Sequence, residues 1–147
     1  MHEIMTFIEI KSTPEDIWAI LVDFAAHTKW NPFIRSIEGA ARKGERLKVF
    51  IQPVDGKPMT FRPKVLVATP NKELRWLGRF LFPGLFDGEH YFRIEPISSS
   101  YVKFVQGERF SGLLVAFVKS SLDSGTKRGF VSMNKALKDL AENRINP

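Results

Sequence analysis

The last third of the chain sets the terms for everything before it. Between Phe110 and Asn143 the apolar residues Phe117, Leu122, Phe130, Met133, Leu137 and Leu140 fall on or near one stripe. The run from Phe130 to Leu140 steps by three and four, which is helical spacing. Lys127, Arg128, Lys135, Lys138, Asp139 and Glu142 lie mostly off that stripe. The pattern predicts one long helix. Gly125 and Gly129 each weaken its interior by about 1 kcal/mol, and they mark a kink or a close approach to a neighbour. A helix with one apolar face needs something to cover. Burying its six large side chains, at roughly 1.5–3 kcal/mol each, offsets much of the cost of ordering it.

The upstream residues supply that surface as strands. Ile4 to Ile10 alternates, with Ile4, Ile8 and Ile10 on one face. Ser12-Thr13-Pro14-Glu15-Asp16 is a helix start: a hydroxyl cap, a proline in the first turn and acids at the positive end of the dipole. A second short helix covers Phe24 to Lys29 and stops before Trp30-Asn31-Pro32-Phe33, because Pro32 drives Asn31 out of helical geometry. Strands are then predicted over Ile34 to Glu38, Arg46 to Gln52, Met59 to Ala68, Glu73 to Phe80, Glu89 to Glu95 and Tyr101 to Phe110. Pro63 marks a bulge or an edge in the third of these. Short turns between them, such as Val54-Asp55-Gly56, imply antiparallel pairing with one face covered.

Composition narrows the function. A chain of 147 residues is read as a single domain, residues 1–147, long enough to bury about two thirds of its unfolded surface. It has no cysteine, so disulfides and thiolate metal sites are excluded. No apolar run approaches the roughly 20 residues that span a bilayer, and Met1-His2-Glu3-Ile4 does not open a signal peptide. A cytoplasmic location is the expectation. The net charge is +6, but the basic residues are scattered instead of clustered on one face, so nucleic acid is not an expected partner. No cofactor is expected. No metal site is expected either: His2 and His27 show no ligand spacing, and His27 is read as a surface residue.

The order strand, two short helices, six strands, long helix resembles the helix-grip domain of the START/Bet v 1-like (SRPBCC) superfamily. Within it, the chain looks most like small bacterial polyketide cyclase/dehydrase-like proteins. The resemblance runs through Ser12-Thr13-Pro14-Glu15-Asp16-Ile17-Trp18 with Asp23, the Lys29-Trp30-Asn31-Pro32-Phe33 corner, and Gly107-Glu108-Arg109-Phe110-Ser111-Gly112. It implies an α+β fold: a curved seven-stranded antiparallel sheet around a long C-terminal helix, with an apolar cavity between them. It also implies a small hydrophobic ligand of lipid, sterol or polyketide type, or, in a minority of such proteins, cyclisation or dehydration in the cavity.

The candidate site follows from strand alternation. Trp76, Phe80, Phe92, Phe104, Phe110 and Phe117 project inward, either as plain core or as the lining of a pocket. His90, Gln106 and Glu108 share that inner face. An ionised glutamate there is costly unless paired or hydrated. Glu108 is therefore read in two ways. In one it sits at the cavity mouth, bonded to backbone or paired with Arg109 or Lys103. In the other it pairs with His90, to orient a ligand or to act as a general acid and base. The expected ligand-binding set is Trp30, Phe33, Trp76, His90, Phe92, Phe104, Gln106, Glu108 and Phe117, with His90 and Glu108 catalytic if the protein is an enzyme. Trp30 to Phe33 is either a packed hinge or a gate. Phe80 to Phe86, an apolar hairpin tip, is expected to serve as a lid, a homodimer contact or a transient membrane contact.

Overall fold

The structure, a computed structural model, describes residues 1–80 and 82–145. Leu81, placed by sequence in the apolar tip, lies outside the described residues, as do the side chains of Phe80 and Leu122. The first strand, β1 (His2–Ile10), leads into α1 (Pro14–Val22). The Thr13 hydroxyl caps that helix by accepting from the Asp16 amide at 3.2 Å, with Pro14 at its first position. A single 3-10 turn (Phe24–Ala26) joins α1 to α2 (His27–Trp30).

Strands β2 (Ile34–Glu38), β3 (Lys48–Ile51), β4 (Met59–Phe61), β5 (Lys64–Thr69), β6 (Glu73–Phe80), β7 (Phe86–Ser98) and β8 (Tyr101–Ser111) follow. They pair antiparallel in the orders β1-β8-β7-β6-β5 and β2-β3-β4. The predicted strand from Met59 to Ala68 is divided at Arg62-Pro63, because proline has no amide to give a ladder. The described residues therefore hold eight strands where sequence predicted seven. The two sheets are stitched at that corner: Leu47 N–H donates to the Pro63 carbonyl, Val65 N–H donates to the Glu45 carbonyl, both at 2.8 Å, and Arg46 bridges Lys64. The result is an antiparallel wall curving around a C-terminal helix, an α+β helix-grip.

That helix differs from its prediction in two ways. It begins later, since Phe110 belongs to β8 and the chain turns at Gly112, whose φ of +112° favours glycine. It is also interrupted. α3 (Val115–Ser121) passes through a wide π-helical turn (Leu122–Thr126) into α4 (Lys127–Ile145). Gly125 sits in that turn, and the Ser124 hydroxyl bonds back to the Ser120 carbonyl at 3.2 Å, a pattern that bends helices.

Of the two halves of the broken helix, α4 makes most of the contact with the sheet. Phe130, Met133, Leu137 and Ala141 are wholly buried on it, while Leu140 is half-buried at the edge of the stripe. Gly129 marks a close approach: the Phe33 ring lies where a Cβ would stand. On the opposite face of the sheet Tyr91 is enclosed between the guanidinium groups of Arg75 and Arg93, each 4.8 Å from its ring centre. The Tyr91 hydroxyl donates to Glu3, which also accepts from Arg109 at 3.0 Å.

Candidate functional site

Antiparallel register brings the site together. His90 on β7 is directly opposite Glu108 on β8, and Phe92 is opposite Gln106. Trp76 on β6 is opposite His90. All point to the concave side, so the alternation read from sequence becomes one continuous patch across three strands.

Within the patch the His90 ring is packed among aromatic groups. Trp76 stacks on it at 5.4 Å, Phe92 lies at 4.6 Å, and Phe130 from α4 meets it edge-on at 5.0 Å. Both ring nitrogens are engaged: Nδ1 with Glu108 Oε1 at 2.7 Å, and Nε2 with Gln106 Oε1 at 3.0 Å. Glu108 is thus bonded to the His90 ring. It pairs with His90 and not with Arg109, which turns outward to Glu3. The Glu108 side chain keeps 16% of its surface accessible, whereas His90 is buried. Gly88 makes room for that carboxylate, since a Cβ there would overlap Glu108 Oε2.

A chamber of about 100 Å³ lies against this pair. Phe33, Trp76, His90 and Glu108, from the predicted set, line it together with Phe61, Phe86 and Phe110. Ile34, Ile51, Pro53, Met59 and Thr126 complete the wall. Its apolar bulk with one histidine–carboxyl pair is the composition of a small-molecule site. A wider vestibule of about 560 Å³ shares Pro53, Met59 and Thr126 with the chamber. It runs between the β3–β4 hairpin and the wide turn, where Arg128 pairs with Asp55 at 3.2 Å. The chamber alone is smaller than the roughly 300–1,000 Å³ usual for drug-sized ligands; with the vestibule it reaches that range.

The remaining predicted residues are placed differently. Phe92, Phe104 and Gln106 are fully buried and stand outside the chamber's lining. Trp30 is half-buried and packs against His27 with the rings tilted and their centres 4.9 Å apart, and it is not among the residues lining the chamber. Phe117 is a correction: it is 82% exposed on α3 and lines neither the chamber nor the vestibule, because the interrupted helix carries it off the stripe. His27 is a second correction. It is wholly buried, with Nε2–H donating to the Leu21 carbonyl at 2.8 Å and Nδ1 accepting from Asn31 at 3.1 Å. Burial holds its imidazole below the usual histidine range. Asn31 Oδ1 also accepts from the Phe33 and Ile34 amides at 2.9 Å each, which ties down the backbone of the Trp30 to Phe33 corner. In the apolar tip Phe86 faces the chamber while Phe82 is 58% exposed.

Two site residues escaped the sequence reading. Asn134 is buried on α4 and Thr6 is buried on β1, and both join the polar chain behind His90. Their signals were present. Asn134 stands four residues after Phe130 on the helix's apolar face, and Thr6 alternates with Ile4 and Ile8.

Comparison with known proteins places this arrangement. No match to a curated protein sequence was found. Among solved structures, the chain is similar to the Zhui aromatase/cyclase of Streptomyces sp. R1128, with a TM-score of 0.80 at 14% identity over 98% of this chain and 95% of that one. It is similar to a START superfamily protein of Mycobacterium smegmatis, with a TM-score of 0.75 at 21% identity over 97% and 99%. It is also similar to Thalictrum flavum norcoclaurine synthase, with a TM-score of 0.73 at 14% identity over 97% and 95%. At these identities the likeness establishes the helix-grip fold alone. The family model described as polyketide cyclase / dehydrase and lipid transport matches residues 1–142, and the chain belongs to that family.

Proposed function

We propose that this protein binds and carries a small hydrophobic molecule, lipid-like, sterol-like or polyketide-like, in the chamber between its sheet and α4. The observation that carries this reading is an apolar chamber with a single histidine–carboxylate pair in its wall. Phe33, Trp76, Phe61, Phe86 and Phe110 provide area for a flat or greasy body, while Glu108 provides the polar contact that fixes its orientation. Phe92, Phe104 and Gln106 support these groups from behind. Family membership favours the same class of ligand. Native mass spectrometry of the freshly purified protein tests it, with a co-purified small molecule as the expected result. Glu108→Gln is expected to leave the fold intact and to change which molecule is retained. Unchanged retention removes Glu108 from the site.

A second reading is favoured by the short His90–Glu108 contact of 2.7 Å. Cyclisation and dehydration of polyketide-like chains need a base beside a carbonyl and an acid for the departing oxygen, and this pair supplies both kinds of group. Likeness to an aromatase/cyclase supports the idea. In that case turnover of an aromatic polyketide mimic is abolished by changing either residue, whereas carriage that survives both changes counts against it.

A further inference from the structure

The polar chain behind His90 can be followed atom by atom, and it fixes where protons reside. Two backbone carbonyls anchor it, and a carbonyl can only accept. The Thr6 hydroxyl lies 2.9 Å from the Gln106 carbonyl, so it donates there and its oxygen is left to accept. Asn134 must therefore turn its NH₂ to Thr6, at 2.9 Å, and its oxygen toward Gln106. The Gln106 NH₂ then donates to Asn134 Oδ1 at 2.7 Å and to the second anchor, the Phe130 carbonyl, at 3.4 Å. That leaves Gln106 Oε1 facing His90 Nε2 at 3.0 Å, and an oxygen acceptor there requires Nε2 to carry a hydrogen.

The other nitrogen follows. His90 Nδ1 and Glu108 Oε1 are 2.7 Å apart. Two bare acceptors repel at that distance, so a proton lies between them. On nitrogen it gives an imidazolium beside a carboxylate; on oxygen it gives two neutral groups. The pair sums to zero charge either way. Among the described residues no other ionisable side chain lines the chamber.

We infer that His90 and Glu108 share one proton, held in register by Gln106, Asn134 and Thr6, so that the polar end of the chamber is neutral overall and selects uncharged hydroxy- or oxo-substituted aromatic molecules over anions and cations. This rests on the chamber being a ligand site. Gln106, Asn134 and Thr6 act through His90 and are positioning residues. Glu108 Oε2 takes no part in the His90 bond, which leaves it to accept from a ligand hydroxyl. A charged ligand would find no net counter-charge in an apolar wall.

Long-range proton–nitrogen correlation spectra of His90 in the full chain test the proton placement without any ligand. Nε2 is expected to carry a hydrogen; a bare Nε2 overturns the inference. Thr6→Val removes the far hydroxyl, three hydrogen bonds from the ring, with little change of shape. It is expected to release the amides and give His90 a mixed tautomer signature, which a purely structural role for Thr6 would not produce. An unchanged signature overturns the assignment of the chain. For selection, naphthol, naphthoate and naphthylmethylammonium are titrated in parallel. Naphthol is expected to bind at least about tenfold more tightly than either ion. Equal binding of an ion overturns neutrality. A hydrogen found on Nε2 with no uptake of naphthol defeats the ligand-site reading, and the selection with it, while leaving the proton placement standing.

Discussion

Gly88 holds open the space that Glu108 fills. Its missing Cβ would overlap Glu108 Oε2, and the two residues stand on adjacent strands with His90 two positions along. Gly88→Ala is therefore expected to push the carboxylate away from His90 while the strands stay paired. Overfilling of this kind costs about 1–3 kcal/mol. Thermal unfolding should show a modest drop, and the His90 ring signals should shift strongly. A full-strength drop in stability with no change at His90 would contradict this account.

The chain behind His90 is expected to behave as a unit. Gln106→Leu strands His90 Nε2 and the Asn134 carbonyl without partners, and each unsatisfied buried group costs about 1–3 kcal/mol. Asn134→Leu strands Gln106 and Thr6 in the same way. The double variant removes both sides of one bond, so its loss should fall short of the sum of the singles by about 1 kcal/mol or more. Denaturant unfolding of the four proteins measures this directly.

His27 gives a pH dependence of definite sign. Burial lowers its proton affinity, against smaller opposing effects of the Leu21 carbonyl and Asp23. A depressed histidine favours the fold while neutral. Its contribution is complete above the unfolded value of about 6.5 and is lost as pH falls toward the lower folded value. Glu3, lowered chiefly by Arg109, and Glu142, lowered chiefly by the Lys11 amide, favour the fold when ionised and lose that advantage only further into acid. Stability should therefore decline in two stages below neutrality. His27→Gln should flatten the first stage and leave the second.

Gly129 and Gly125 are expected to respond in opposite ways to alanine. Helix propensity favours alanine by about 1 kcal/mol at either position. At Gly129 the Phe33 ring occupies the Cβ site, so Gly129→Ala should be destabilising by about 1–3 kcal/mol. At Gly125 the nearest atom, the Val54 carbonyl oxygen, is 3.3 Å away, which leaves a tight but workable fit. Comparing their melting temperatures, with Phe33→Leu as a partial rescue of Gly129→Ala, settles the two environments.

These outcomes bear on what could be read before the fold was seen. Strand alternation sufficed for His90, Gln106 and Glu108 to share a face, because side chains on a strand repeat every two residues regardless of tertiary detail. The α4 stripe was legible for the same reason at a period of 3.6. Phe117 was misplaced because a stripe is projected on the assumption of an unbroken helix, and the wide turn at Leu122–Thr126 resets the phase. His27 was misjudged because its burial depends on Asn31 and the Leu21 carbonyl converging on it, which no local pattern announces. Thr6 and Asn134 were overlooked although their positions were periodic, since a lone polar residue on an apolar face shows its partner only in three dimensions.

The break between α3 and α4 divides labour along the chain. Phe130, Met133, Leu137 and Ala141, which anchor α4 in the core, all lie after the break, while Ser124, Gly125 and Thr126, within it, border the vestibule. Substitutions at Ser124, Gly125 or Thr126 can therefore reshape the doorway while the keel stays put.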